Sequence, residues 1–164
     1  HLTDMQKVIL IKELSKASGP SGMVAGQLLD MEAENKSISL QALEHIHQLK
    51  TGALISFAVF AGAYLGQATA EQMAKLQQYA HYLGLIFQVQ DDILDVTGDP
   101  EKLGKPLGSD ENNLKSTYPK LLGLKGAEEK KAEYVEYALS ALREAGAKDS
   151  YLFMLTEHLA NRDH

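Results

Sequence analysis

Residues 69–98 read TAEQMAKLQQYAHYLGLIFQVQDDILDVTG, and this stretch decides the fold class. Thr69 followed three residues later by Gln72 has capping-box spacing, in which each side chain satisfies a free backbone N–H at a helix start. Gly98 supplies the stop. Between them apolar residues recur at helical spacing, so that Tyr82, Ile86, Val89, Ile93 and Val96 form the side expected to face a core. The opposite side is polar. At about 100° per residue, Asp95 lies about 40° from Asp91, Gln88 about 60° and Asp92 about 100°.

That polar arc is costly without a ligand. Aspartate is a poor residue for a helix interior. Like charges at i,i+4 repel by about 0.2–0.5 kcal/mol per pair. The cluster also sits near the helix C-terminus, where the macrodipole favours cations. A divalent cation removes all three penalties. Magnesium prefers one or two carboxylates completed by water and substrate phosphates, so Asp91, Asp92 and Asp95 are the expected metal-binding set, with Mg2+ or Mn2+ as the ion.

Working outward, Thr3-Asp4-Met5-Gln6 repeats the capping box and opens a helix ending near Ser18-Gly19-Pro20. A second helix is expected over Met23 to Ala33, and a long one from Leu40 to Leu65 capped by Ser39. Its apolar part, Ala53 to Leu65, falls short of the roughly 20 residues that span a bilayer, so a buried central helix is expected rather than a membrane span. Gly98, Pro100, Gly104, Pro106 and Gly108 then break any helix as far as Ser116. Further helices are expected over Pro119–Leu124, Ala127–Ala145 and Ser150–Asn161. No period-2 pattern, repeat or low-complexity tract occurs, and the fold class expected is all-α.

Lys50 is the second informative position. Leu43, Ile46, Leu54 and Phe57 all lie within about 40° of it on an ideal helix. A lysine in an apolar stripe either snorkels or meets an anion. Lys105 and Lys115, in the Gly/Pro-rich stretch after the aspartates, could bring ammonium groups to the same anion. Glu44-x-x-His47 fits half of a di-iron site, but no second such motif occurs, so His47 is read as a helix-surface or packing residue.

Composition narrows the classes. Of the 164 residues, 45% are hydrophobic and 23% charged, which is ordinary globular material rather than a disordered tail. The net charge of -6 offers no basic stripe for nucleic acid. With no cysteine, disulfide scaffolds, zinc fingers and thiol chemistry are excluded, in keeping with a reducing, cytoplasmic setting. No basic-then-apolar leader precedes the first helix.

Five spaced elements together resemble the trans-prenyltransferase family, most closely its bacterial short-chain synthases. They are Gly26-Gln27-Leu28-Leu29-Asp30, His47-Gln48-Leu49-Lys50-Thr51-Gly52-Ala53-Leu54, Phe87-Gln88-Val89-Gln90-Asp91-Asp92-Ile93-Leu94-Asp95, Leu103-Gly104-Lys105 and Lys115-Ser116-Thr117-Tyr118-Pro119. The resemblance implies a class I isoprenoid synthase helical bundle working as a homodimer on an allylic diphosphate and isopentenyl diphosphate. It implies metal binding by Asp91 and Asp95 with Asp92 assisting. Lys50 and Lys105 would hold the allylic diphosphate, reinforced by Lys115. Thr51 and Gln88 would point dipoles at the allylic cation. Gln27 and Asp30 would lie near the other metal site, and Arg162 resembles a basic residue near the family's C-terminus.

The family's first aspartate-rich motif is absent, and neither Asp30-Met31-Glu32 nor Asp110-Glu111 reproduces it. Residues 1–164 are therefore expected to be the C-terminal portion of one synthase domain, lacking the N-terminal helices and inactive alone. The opening His1-Leu2-Thr3-Asp4, without an initiator methionine, points the same way. A terpene cyclase of the same fold is the rival enzyme, against which Gln88 and the Lys50-Thr51 pair argue. A non-catalytic subunit of a heteromeric synthase is the rival from another class; it has no reason to keep the aspartates and three lysines together.

Overall fold

The computed structural model describes residues 1–98 and 115–162. Among the described residues there are helices and no strand. They are α1 (Asp4–Ser18), α2 (Met23–Ala33), α3 (Leu40–His47), a π-helical turn (Gln48–Gly52), α4 (Ala53–Leu65), α5 (Ala70–Thr97), α6 (Tyr118–Glu144) and α7 (Tyr151–Asn161). Both capping boxes form: the Gln6 and Gln72 backbone N–H groups each donate to the threonine three residues earlier at 3.2 Å. Ser39 caps α3 in the same way, accepting from the Ala42 N–H at 3.2 Å.

The central helix is α5. It packs most extensively against α6, and also against α4, the π turn, α7 and α3. Its apolar side is buried as the periodicity predicts at Ile86, Val89 and Ile93, with Tyr82 half-buried. Val96, in the last turn of the helix, departs from that expectation and is 47% exposed. Tyr79, Tyr118 and Leu142 are fully enclosed in the core that α5 and α6 build. The Tyr79 hydroxyl donates to the Leu152 carbonyl at 3.1 Å and so fastens α7 to α5. The two helices expected over Pro119–Leu124 and Ala127–Ala145 form as the two arms of α6, which breaks at Gly123, where φ is 72° and ψ 163°, a backbone that glycine alone adopts readily.

Two expectations about Leu40–Leu65 change. The stretch is not α-helical throughout, because Gln48–Gly52 forms a π turn, a rare wide turn that re-aims the side chains around it. The apolar stripe through Lys50 is accordingly broken: Leu43 and Ile46 are buried, whereas Leu54 is 37% exposed. Nor is α4 the buried centre, since none of its residues is fully buried. As a 26-residue stretch, Leu40–Leu65 is long and apolar enough to cross a membrane by length and composition alone. In this fold α4 lies against α1 and α5, and the π turn against α2 and α5.

The π turn is gripped from two sides. A Cβ on Gly26 of α2 would come within 2.1 Å of the Lys50 backbone nitrogen, and one on Gly84 of α5 within 3.0 Å of the Gly52 Cα. At Gly26 only glycine admits this approach, and at Gly84 a Cβ would be tight. Between these contacts the Gln48 side-chain amide donates to the His81 carbonyl at 2.8 Å. Immediately before the turn, His47 is buried with its ring 5.8 Å from that of Tyr118, a packing residue as expected. Burial drives its pKa down to about 4; Asp30 works the other way, while Lys50 and Lys115 lower it further.

Two predictions follow from this packing. Gly26→Ala forces backbone against backbone, so its urea midpoint should correspond to a loss of about 2 kcal/mol or more; unchanged stability would contradict the close approach. His47 remains neutral in the folded chain while the unfolded chain takes a proton near pH 6.5. Its neutrality therefore costs nothing above pH 6.5, and stability falls as pH drops from there to about 4, by on the order of 3 kcal/mol. His47→Gln should flatten that segment of the stability–pH curve measured by denaturant titration, and an unaltered slope would count against it.

Candidate functional site

The site is built where the π turn meets α2 and α5. On α2, Asp30 lies one turn beyond Gly26, so the glycine that admits the Lys50 backbone also sets a carboxylate beside its side chain. The Lys50 ammonium donates to Asp30 Oδ2 at 2.7 Å, and the Lys115 ammonium donates to the same oxygen at 2.9 Å. All three side chains are mostly covered, with 16% of Asp30, 33% of Lys50 and 24% of Lys115 exposed. Burial alone would raise the Asp30 pKa, but the hydrogen bonds and charges of Lys50 and Lys115 hold it below the usual carboxylate value. Gln27 lies on the same helix and is exposed.

From the π turn to α5 the link is Thr51, whose hydroxyl donates to Gln88 Oε1 at 2.6 Å. Gln88 stands one turn before the aspartates, so this bond brings the lysine turn and the aspartate helix to one place. The motif reading thus joins Lys50, Thr51, Gln88, Asp30 and Lys115. Lys105 lies outside the described residues.

The three aspartates do not share one open arc. Asp92 is buried, and its Oδ2 accepts the Tyr118 backbone N–H at 2.9 Å, which ties the start of α6 to α5. Asp95 is only 2% exposed. Asp91 is the aspartate whose side chain stays partly open, at 40%, with the Arg162 guanidinium 3.5 Å away. An ideal helical wheel cannot show this difference, because it omits the helix that packs across the far edge of the arc.

Among the described residues no three His, Cys, Asp or Glu side chains converge as a metal cage. The donor set still fits magnesium in one mode. A partly open carboxylate such as Asp91 can take one position, with water and phosphate oxygens filling the rest. The fit is to a cation carried on a diphosphate, not to one enclosed by protein.

Motif reasoning missed much of the surroundings. The Arg162 guanidinium sits over the Phe87 ring at 4.4 Å, a cation–π contact beside Asp91. The Gln90 amide donates to the Arg162 carbonyl at 2.7 Å and accepts from the Lys131 ammonium at 2.7 Å. Gln90 thereby couples α5, α6 and the end of α7 at the residue next to Asp91. Among these, Arg162 had a signal in the sequence, through its resemblance to a basic residue near the family's C-terminus. Gln90 and Tyr118 lie within the quoted motifs, but their bonds had no signal there, since backbone donors and buried amides leave no pattern of partners.

With this geometry established, comparison with known proteins is direct. Residues 1–153 match the family model described as polyprenyl synthetase. The farnesyl diphosphate synthase of Geobacillus stearothermophilus is 51% identical over 94% of this chain and 52% of its own length. The crystal structure of a putative farnesyl-diphosphate synthase from Marinomonas sp. MED121 superposes with a TM-score of 0.79 at 44% identity, over 96% of this chain and 53% of that one. A geranyltransferase from Helicobacter pylori, crystallised with magnesium and isoprenyl diphosphate, gives 0.81 at 35% identity, over 98% of this chain and 52% of that one. The chain thus spans about half the length of the relatives it matches. Its helices adopt the class I isoprenoid synthase fold, and the chain belongs to the polyprenyl synthetase family.

Proposed function

We propose that this chain forms the C-terminal half of a short-chain trans-prenyl diphosphate synthase. It would supply the diphosphate-binding side of a site that joins an allylic diphosphate to isopentenyl diphosphate head to tail. The observation that carries this reading is the Thr51–Gln88 hydrogen bond, which sets two clustered lysines beside the aspartate helix. The farnesyl diphosphate synthase relatives and the magnesium and isoprenyl diphosphate held by the H. pylori geranyltransferase support the same chemistry.

In this reading Lys50 and Lys115 bind the allylic diphosphate, and by motif Lys105 joins them. As the allylic carbon–oxygen bond breaks, the departing diphosphate gathers negative charge that these ammonium groups offset. The Thr51 and Gln88 oxygens present the negative ends of their dipoles to the allylic cation left behind. The isopentenyl double bond then attacks that cation, and loss of a proton restores neutrality at carbon. Magnesium, held on the protein side by Asp91, would supply further charge neutralisation of the diphosphate when bound. Asp92, already engaged with the Tyr118 N–H, and the buried Asp95 support the Asp91 turn, while Gln27 faces the second metal-binding side. The working protein is taken to be a cytoplasmic homodimer.

In the full-length protein, Asp91→Ala should lower the turnover of allylic and isopentenyl diphosphate by about 100-fold or more in magnesium buffer; a rate near that of the unaltered protein would sink the metal assignment. The 164-residue chain by itself should give no condensation product in a radiolabelled isopentenyl diphosphate assay. Efficient product formation by it would show that the half-site reading is wrong.

A further inference from the structure

The Asp30 carboxylate has a role that neither the motif nor the reaction assigns to it. One oxygen, Oδ2, accepts from two ammonium groups that are distant in sequence, Lys50 at 2.7 Å and Lys115 at 2.9 Å. Two ammonium ions held on one oxygen are close enough to repel strongly, and their cover of protein weakens the screening that water would give. The carboxylate between them offsets that repulsion. That carboxylate is itself placed by the Gly26 contact one turn earlier, which fixes the Lys50 backbone against α2.

We propose that Asp30 is a positioning residue that assembles a two-lysine diphosphate cradle before any ligand arrives. The inference rests on the prenyl-transfer reading above. An ammonium carries three N–H donors, and its contact with Asp30 occupies one of them. The carboxylate therefore organises each lysine through a single N–H. It lowers the cost of bringing two like charges together, and that saving appears as affinity for a diphosphate. Lys50 comes from the π turn and Lys115 from the segment before α6, so Asp30 also joins two parts of the chain that the diphosphate would otherwise have to gather.

Among the described residues, the titratable groups facing this pair include Asp30 from α2 and His47 from α3. His47, held down to about 4 chiefly by burial, stays neutral throughout the range used for the test. Removing the Asp30 charge leaves two adjacent ammonium groups without it, and one of them then releases its proton more readily as pH rises.

The test is isothermal titration of inorganic pyrophosphate with magnesium into the full-length protein and into Asp30→Asn, from pH 7 to pH 9. Asp30→Asn should weaken binding roughly tenfold at pH 7. The ratio of its affinity to that of the unaltered protein should fall further towards pH 9; taking the ratio cancels the ligand's own ionisation. A purely structural role would lower affinity without that pH trend. Equal affinities, or a ratio constant with pH, would overturn the inference while leaving the prenyl-transfer reading intact. Asp30→Glu, which keeps the charge on a longer arm, should give a ratio constant with pH whatever its affinity, and it carries the test if Asp30→Asn fails to fold. A pH-dependent ratio for Asp30→Glu would equally overturn the inference. Absence of pyrophosphate binding by the unaltered protein would overturn the prenyl-transfer reading itself, and this inference with it.

Discussion

Everything at this site depends on how closely three backbones approach. The π turn carries Lys50 and Thr51, and it lies between α2 and α5 at distances that leave no room for a Cβ on Gly26 and barely any for one on Gly84. A side chain at Gly26 would push the turn away from α2 by an ångström or so, and one at Gly84 would shift it from α5 by a few tenths. Asp30 would then lose Lys50, and Thr51 would be moved relative to Gln88. The wide turn and the two glycines are thus one device: the turn re-aims the side chains, and the glycines let their backbone come close enough to be held.

Buried polar bonds then couple that device to the rest of the bundle. Asp92 accepts the first N–H of α6, Gln90 bridges Lys131 and the Arg162 carbonyl, and Glu44 accepts the Tyr134 hydroxyl. Each such group would cost more unpaired than it contributes paired, so these bonds specify one arrangement more than they add stability. The residues flanking Asp91 are consequently locked while Asp91 stays partly open, an arrangement suited to receiving a ligand without rearrangement of the helix. Large apolar side chains such as Ile11 of α1, Leu28 of α2 and Met154 of α7 remain exposed, at 65%, 56% and 57%. Exposed apolar surface on successive helices agrees with the proposal that these helices complete a larger bundle.

Much of this was legible in the sequence, and the reason is local chemistry. Thr3–Gln6, Thr69–Gln72 and Ser39 announce their helices because capping involves residues three apart. Lys50, Thr51, Gln88, Asp91 and Lys115 stand out as candidates because short motifs carry them. What was not legible depends on neighbours distant in sequence. The π turn at Gln48–Gly52 leaves no compositional trace, and it broke the apolar stripe that an ideal helix draws through Lys50. Burial of Asp92 comes with the start of α6 packing onto α5, which periodicity within one helix cannot foresee. The apolar run Ala53–Leu65 suggested a central helix, yet α5 holds that place, since centrality is set by how many partners a helix has and not by its own hydrophobicity.

The central claim is that the π turn, Asp30 and the aspartate helix form one diphosphate-binding site. The most direct measurement is a crystal structure of the full-length protein soaked with magnesium and inorganic pyrophosphate. The account predicts pyrophosphate oxygens within hydrogen-bonding distance of both Lys50 and Lys115, and a magnesium ion bound to Asp91. Pyrophosphate bound away from these lysines, or magnesium bound without Asp91, would contradict it.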